Sequence, residues 1–346
     1  MTAWKNQLKN SLTSPEELSQ ILNCDPTEVA AVNSRYPLRI SPYYLELIKR
    51  VGEPLFRQAV PDIRELEDPQ GMLDPLGEES LSPAPNLVHK YPDRALFLVS
   101  SQCAMYCRFC TRKRKVGKAS MQISQETLTA GLKYLRNTPQ IREVLISGGD
   151  PLLLSDQHIE KILQRLREIR HIKVIRIGTR TPCTLPMRIT PELVNMLRKY
   201  HPLYINTHFN HPAEITPQAQ QACTLLADAG IPLGCQTVLL KGINDSLPVI
   251  QELLYKLLEI RVRPYYLMQA DLTEGTAHFR TDIKTGLALM RGLIGTISGM
   301  AVPTYILDAP DGKGKIPLTP DYILSHQEDK LEFHNYQGIP CSYPFL

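Results

Sequence analysis

The sequence lacks the features of a membrane, secreted or nucleic-acid-binding protein. No apolar run approaches the roughly 20 residues that a membrane span needs, and the start, MTAWKNQLKN, has no hydrophobic stretch of the signal-peptide kind. The 39 Lys and Arg against 35 Asp and Glu leave a net charge of +4, too weak and too dispersed to indicate nucleic-acid binding. We therefore expect a soluble, cytoplasmic protein with no membrane or nucleic-acid partner, and the composition remains compatible with a small anionic substrate or cofactor.

Cysteine is also scarce, because eight residues in a chain of 346 are too few for a disulfide scaffold. Three of the eight nevertheless fall within the eight residues from Cys103 to Cys110. In a reducing compartment such a cluster indicates metal or redox chemistry. The 43% apolar content is enough to bury the core of one large domain or two ordinary ones.

Two regions differ in pattern. Residues 1–90 carry ten prolines among short helical patterns with no convincing strand, which predicts a helical, loop-rich cap. From Ala95 onward, short apolar runs alternate with amphipathic helices. The candidate strands are Ala95–Ser100, Glu143–Ser147, Lys173–Ile177, Leu203–Thr207, Pro232–Leu239, Val262–Leu267 and Val302–Leu307. Six strand-then-helix units in series predict a parallel sheet, either a barrel-like (β/α) array or an open doubly wound sheet.

Local signals place the helix ends. Helix starts are predicted where a side-chain oxygen can accept a free backbone N–H, at Ser124, Ser155, Thr190 and Thr216. Gly230 and Gly299 stand where helices are expected to end.

The unusual residues follow the predicted strands, which is where a (β/α) barrel collects its chemistry. They are Cys103–Cys110, Gly148–Asp150, Thr179–Pro182, His208–His211, Asp271 and the stretch from Asp308 to Lys315. Chance would scatter such residues to both ends of the strands.

The strongest single motif is CAMYCRFC, in which Cys103, Cys107 and Cys110 have the spacing C-x3-C-x2-C. Thiolates are the usual ligands of iron–sulfur clusters, and a tight loop lets three of them hold three irons of a [4Fe–4S] cube. The fourth iron then keeps an open position for a reactant. A zinc knuckle completed by a distant His or Cys is the alternative, although zinc loops usually favour C-x2-C pairs.

This loop, with Tyr106 before the second cysteine, resembles the signature of the radical S-adenosylmethionine superfamily. The resemblance implies that the open iron binds the methionine part of S-adenosylmethionine and that Ser147, Gly148, Gly149 and Asp150 meet its amino group. It also implies an α/β fold, a radical SAM partial (β/α)6 barrel over residues 91–307 with an N-terminal helical cap over 1–90. A short C-terminal segment over 308–346 completes the expected domains.

A second motif, LDAPDGKGKIPL, brings glycines beside Lys315, whose amine can form a Schiff base. The G-x4-G-K-[ST] spacing of a phosphate-binding loop is absent, and an ordinary solvated turn is the alternative. The stretch resembles the pyridoxal-phosphate loop of lysine 2,3-aminomutases. Similarity to that family extends over nearly the whole chain, through segments such as HKYPDR, CRFCTRKR, LISGGDPLL, NTHFNHPAEIT and VRPYYLMQADL.

The family resemblance implies a role for individual residues. Lys315 carries the pyridoxal phosphate, Arg112 binds the α-carboxylate of the substrate, and Asp271 and Asp308 bind its distant ammonium group. Lys90, Arg94 and Gln236 serve the pyridoxal phosphate or nearby polar groups. His208 lines the S-adenosylmethionine site, with a purely structural histidine as the alternative.

The reaction implied is L-lysine to L-β-lysine, by a 5′-deoxyadenosyl radical and a pyridoxal-phosphate aldimine, with an electron donor such as flavodoxin or ferredoxin. Three alternatives stay open: a lysine aminomutase of the type that serves β-lysylation of elongation factor P, a non-catalytic iron–sulfur or zinc binding protein on the same fold, and an aminomutase of another amino acid. Departures from the family pattern are Phe109 in place of the usual histidine, Lys90 in place of arginine, and Cys341 alone where longer members have a zinc segment. We therefore expect no zinc site, and a homo-oligomer remains compatible with the sequence.

Overall fold

The computed structural model describes residues 3–118, 121 and 123–345. Its N-terminal part consists of short helices that begin, rather than end, at prolines. Pro15, Pro26 and Pro42 each occupy the first turn of a helix, where a missing N–H costs nothing, and the preceding Ser or Asp side chain accepts a backbone N–H. The helices are α1 (Ala3–Lys9), α2 (Pro15–Leu22), α3 (Pro26–Arg35), α4 (Pro42–Val51) and α5 (Glu53–Ala59).

A mixed sheet follows, with helices between its strands. The strands are β1 (Leu87–Tyr91), β2 (Arg94–Ser100), β3 (Glu143–Gly148), β4 (Val174–Gly178), β5 (Leu203–Thr207), β6 (Leu233–Leu239), β7 (Val262–Gln269), β8 (Thr304–Ala309) and β9 (Gly314–Pro317). The helices are α6 (Gln125–Arg136), α7 (Asp156–Arg167), α8 (Thr181–Thr184), α9 (Pro191–Leu197), α10 (Pro217–Asp228), α11 (Leu247–Glu259) and α12 (Ile283–Leu293).

The strand order in this sheet is the sequence order from β1 to β9. Strands β2 to β8 pair in parallel, whereas β1 and β9 are antiparallel edge strands. A doubly wound sheet would reverse its strand order part-way, so that alternative is excluded. The architecture is the expected radical SAM type of partial (β/α)6 barrel, a nearly closed α/β sheet.

Alternation along the strands separates a packed face from a cavity face. In β3, Val144 and Ile146 are buried in the main core against the helices, together with Ile175 and Ile177 of β4. Leu145 between them faces the concave side of the sheet and lines a cavity there. The helices therefore cover one face of the sheet and leave the other for ligands.

Three predictions are corrected. The first 90 residues do contain a strand, because β1 begins at Leu87 and crosses the predicted boundary at residue 90. Gly299 does not end a helix, since α12 stops at Leu293 and Gly295 adopts the positive φ there. The segment from Asp308 to Lys315 is a β-hairpin rather than a loop, because both residues lie inside paired strands.

The chain continues into a small antiparallel sheet of β10 (Ile323–His326), β11 (Lys330–His334) and β12 (Pro340–Pro344). No helix in the described residues is long and apolar enough to span a bilayer.

Candidate active site

A cavity of about 680 Å³ occupies the concave side of the sheet. It reaches from the loop after β2 to the hairpin of β8 and β9, so the three cysteines and Lys315 face the same space. The lining contains every site residue expected from the sequence: Lys90, Arg94, Cys103, Cys107, Cys110, Arg112, Ser147, Gly148, Gly149, Asp150, His208, Gln236, Asp271, Asp308 and Lys315.

The N-terminal helices hold the cysteine loop in place. Arg108, between the second and third cysteines, points away from the cavity and is only 2% exposed. Its guanidinium donates to both carboxylate oxygens of Glu65, at 2.9 and 2.7 Å, and Lys113 Nζ donates to the same carboxylate at 2.8 Å. A buried carboxylate with two cationic partners is well compensated, so Glu65 anchors the second half of the cysteine loop and the turn that follows it.

Two thiols of the cysteine motif, Cys103 and Cys110, resist ionisation in the absence of a metal. Burial raises the pKa of the Cys103 thiol, and burial with the charge of Cys107 raises that of Cys110 to about 11. Iron would offset this cost of ionisation, because metal binding favours the thiolate. Among the described residues, no three His, Cys, Asp or Glu side chains form a group that could hold a single metal ion.

The Gly148-Gly149-Asp150 segment packs directly against the start of the cysteine loop. Gly148 has φ +142°, and a Cβ there would lie 2.2 Å from the carbonyl oxygen of Ser100, so only glycine fits. The Asp150 carboxylate accepts hydrogen bonds from Thr179 Oγ1 at 2.6 Å and from the backbone N–H of Arg180 at 2.8 Å. These hydrogen bonds connect the end of β3 to the end of β4. The backbone of Gly148 and Gly149 lines the cavity, where it can contact a ligand.

The hairpin at the other end of the cavity pairs Asp308 directly with Lys315. The two residues are opposed in the antiparallel register, and Lys315 Nζ donates to the Asp308 carboxylate. Lys90 Nζ donates to the same carboxylate at 3.3 Å, and the hydroxyl of Tyr91 accepts the backbone N–H of Lys315 at 3.1 Å. Side chains of β1 thus reach β9 and bring the two edges of the sheet together.

Asp271 lies just beyond β7 and interacts electrostatically with Asp308. Burial, followed by the charge of Asp308, raises the pKa of Asp271 to about 7 against the opposing effect of Lys315 and Lys90. Within the described part of the chain, the Asp271 carboxylate accepts no hydrogen bond, whereas the Asp308 carboxylate accepts from two lysines. A ligand cation would satisfy this group.

Arg112 is oriented by Glu78, a residue that the sequence analysis missed. Arg112 Nε lies 2.8 and 3.0 Å from the two Glu78 oxygens, and Nη2 lies 2.6 Å from one of them. Glu78 therefore occupies the edge of the guanidinium that Nε and Nη2 form. The other edge of the guanidinium is formed by Nη1 and Nη2, and Nη1 lies 3.5 Å from the carbonyl oxygen of Gly148. This edge can bind a second carboxylate.

Comparison with known proteins agrees with this geometry. A family model described as radical SAM superfamily matches residues 97–254, and one described as lysine-2,3-aminomutase matches residues 290–345. The L-lysine 2,3-aminomutases of Fusobacterium nucleatum and Clostridium subterminale are each 48% identical over 98% of this chain, which covers 81% and 83% of their lengths. The chain belongs to the lysine 2,3-aminomutase family. It is a radical SAM aminomutase, an isomerase, and the family's cofactors are a [4Fe–4S] cluster and S-adenosylmethionine, with pyridoxal phosphate in the lysine 2,3-aminomutases.

The glutamate 2,3-aminomutase of Clostridioides difficile is 46% identical over 97% of this chain and 81% of its own length. Overall identity therefore does not separate lysine from glutamate as the substrate of this aminomutase.

The remaining predicted residues of the aminomutase site differ in how firmly they are held. His208 Nε2 lies 2.9 Å from Asn210 Oδ1, and burial, followed by the charge of Arg180, lowers the pKa of His208 to about 3, so the ring is neutral. The Arg94 guanidinium lies 4.4 Å from the ring centroid of Tyr91 at the mouth of the cavity. Gln236 faces the cavity from β6.

Other residues of this site escaped the sequence analysis. Glu65 and Glu78 are acids from a proline-rich, irregular segment, and Arg180 and Glu214 form a buried ion pair behind the cysteine loop. Sequence signals existed for the last two, because Arg180 lies in the Thr179–Pro182 segment after the third predicted strand and Glu214 lies in the family-like segment NTHFNHPAEIT.

Proposed function

We propose that this aminomutase converts L-lysine to L-β-lysine. The observation that carries the proposal is the pair of acids at the Lys315 end of the cavity. Asp308 has two ammonium partners within the protein, whereas Asp271, half-buried beside it, has no hydrogen-bonded ammonium partner among the described residues. The distant ammonium group of lysine would give Asp271 the cationic partner that it lacks, whereas both acids would repel the side-chain carboxylate of glutamate.

The opposite end of the substrate would lie on Arg112. The edge of the Arg112 guanidinium formed by Nη1 and Nη2 offers parallel N–H donors in the geometry that a carboxylate prefers. Glu78 fixes the guanidinium from the other side, so the donors are oriented before substrate arrives. Lysine has a carboxylate at one end and an ammonium at the other, and the cavity offers complementary charges in the same order.

We assign the cofactor-holding groups as follows. Cys103, Cys107 and Cys110 would ligate three irons, and residues 147–150 with His208 would line the S-adenosylmethionine site. Lys315 would form the covalent link to pyridoxal phosphate, with Lys90, Arg94 and Gln236 available to its phosphate and polar groups. When bound, these cofactors supply a 5′-deoxyadenosyl radical that removes a hydrogen atom from the substrate and a π-system through which the amino group migrates.

The chain's own residues have the other tasks. They align the substrate between Arg112 and the two acids, and the apolar lining of Leu96, Leu145 and Met268 keeps water from the reacting carbons. Because the reaction starts from a reduced cluster, we further propose that the enzyme takes its electron from a flavodoxin or ferredoxin. We also propose that it works in the cytoplasm and as a homo-oligomer.

The test is anaerobic reconstitution with iron, sulfide and pyridoxal phosphate, followed by turnover with dithionite and S-adenosylmethionine. L-lysine, L-glutamate and L-alanine are offered separately, and β-lysine from lysine alone is the expected product. Asp271→Ala and Asp308→Ala should lose lysine turnover, whereas Asp228→Ala, an exposed acid paired with Arg261, should not. Equal turnover of lysine by the two cavity variants would refute the proposed substrate.

A further inference from the structure

A cationic side chain contacts the sulfur of one cluster cysteine. Arg180 follows β4, is 8% exposed, and its Nη1 lies 2.8 Å from Cys107 Sγ. Its guanidinium carbon also lies 5.2 Å from the ring centroid of Phe109, inside the same motif. Arg180 therefore presents both a hydrogen-bond donor and a full positive charge to a sulfur that belongs to the cysteine motif.

The arginine is held in this position by buried acceptors on the opposite side. Arg180 Nη2 donates to Gln58 Oε1 at 2.6 Å and to Glu214 Oε1 at 2.7 Å. Glu214 is fully buried and also accepts the Tyr44 hydroxyl at 2.7 Å and the backbone N–H of Asn210 at 2.7 Å. Because these partners belong to the N-terminal helices and to the segment after β5, the guanidinium cannot turn away without breaking several contacts between elements.

We propose that Arg180 is a positioning residue that raises the reduction potential of the cluster, and that Glu214 moderates it. One-electron reduction of a [4Fe–4S] cluster adds one negative charge to its irons and sulfurs, and the electron comes from the external reductant. A guanidinium beside a ligand sulfur stabilises that added charge, more strongly in a buried site than in water. The nearby Glu214 carboxylate opposes this effect while it fixes the donor.

The experiment is a potentiometric titration of the reconstituted enzyme without S-adenosylmethionine, with the reduced cluster measured by electron paramagnetic resonance. Arg180→Gln should shift the midpoint to more negative values, with the equilibrium constant for reduction about tenfold lower, or about 59 mV for one electron. Arg180→Lys should recover much of the wild-type potential, because it keeps the charge. Glu214→Gln should shift the midpoint in the opposite direction.

Arg188→Gln is the matched control. Arg188 is also a buried arginine paired with an acid, because it donates to Asp156 at 2.6 Å and to the carbonyl oxygens of Leu152 and Leu154, and it is not among the residues that line the cavity. Its loss should lower stability and leave the potential unchanged. An unchanged potential in a fully loaded Arg180→Gln protein would overturn the proposal. If that variant does not retain four irons, Glu214→Gln decides: a higher potential supports the role of Arg180, and an unchanged or lower one overturns it.

Discussion

Replacement of Asp271 by asparagine should stabilise the cofactor-free protein at neutral and alkaline pH. Asp271 is half-buried beside Asp308, and desolvation together with the charge of Asp308 raises the pKa of Asp271 from 3.8 to about 7. Each pKa unit corresponds to about 1.4 kcal/mol, so the ionised group costs up to about 4 kcal/mol in the folded state. Asparagine has a similar shape and carries no charge, so this cost disappears.

The pH window follows from the sign of the shift. Because the folded protein holds this proton more tightly than the unfolded chain, wild-type stability falls as pH rises from about 4 to 7 and the loss is complete above 7. The advantage of Asp271→Asn is therefore small near pH 4.5 and largest at pH 8. Urea unfolding of the two proteins at pH 4.5, 6 and 8 measures the difference directly.

Asp228→Asn is the control, because Asp228 is exposed on the surface and pairs with Arg261. This variant should differ little from wild type, by the same amount at each pH. If Asp271→Asn shows no stability gain that increases between pH 4.5 and 8, Asp271 is not the uncompensated charge that the substrate assignment requires.

Three further outcomes are expected. Glu78→Gln should raise KM for lysine about tenfold with a smaller effect on kcat, because Arg112 loses a charged partner worth about 1.5–3 kcal/mol; steady-state kinetics at saturating cofactor measure the split. Gly148→Ala should cost about 3 kcal/mol or more and reduce the iron content, since its Cβ meets the Ser100 carbonyl; iron analysis and thermal unfolding test this, and normal iron content would contradict it. Lys315→Ala should abolish turnover and the visible absorbance of bound pyridoxal phosphate while iron content stays normal.

The parallel strands were predictable because their signals are local. The predicted run Leu203–Thr207 coincides with β5, and the predicted start at Thr216 is confirmed by its side chain accepting the N–H of Ala219. The edge strands β1 and β9 gave no comparable signal. Both are short, and they are defined by pairing with β2 and β8 rather than by an amphipathic pattern of their own.

The residues of the site also differ in whether a local sequence motif marks them. Cysteine spacing and the motif around Lys315 could be recognised because each is continuous in sequence. The partners that orient these groups are distant, since Glu78 lies 34 residues from Arg112 and Arg180 lies 73 residues from Cys107. Such pairings depend on tertiary packing, which no periodicity or spacing in one sequence encodes.

The closure of the barrel and the chemistry of the site depend on the same side chains. No ladder of backbone hydrogen bonds joins β1 to β9 in the described structure. Instead, the Tyr91 hydroxyl of β1 accepts the backbone N–H of Lys315 in β9, and Lys90 of β1 reaches Asp308 in the neighbouring strand β8. The position of Lys315 is therefore set partly by groups that face the cavity. Since these groups carry charge, a bound anion or ammonium at this end changes the forces that hold the sheet edges together, and ligand binding should stabilise the hairpin as well as fill the cavity.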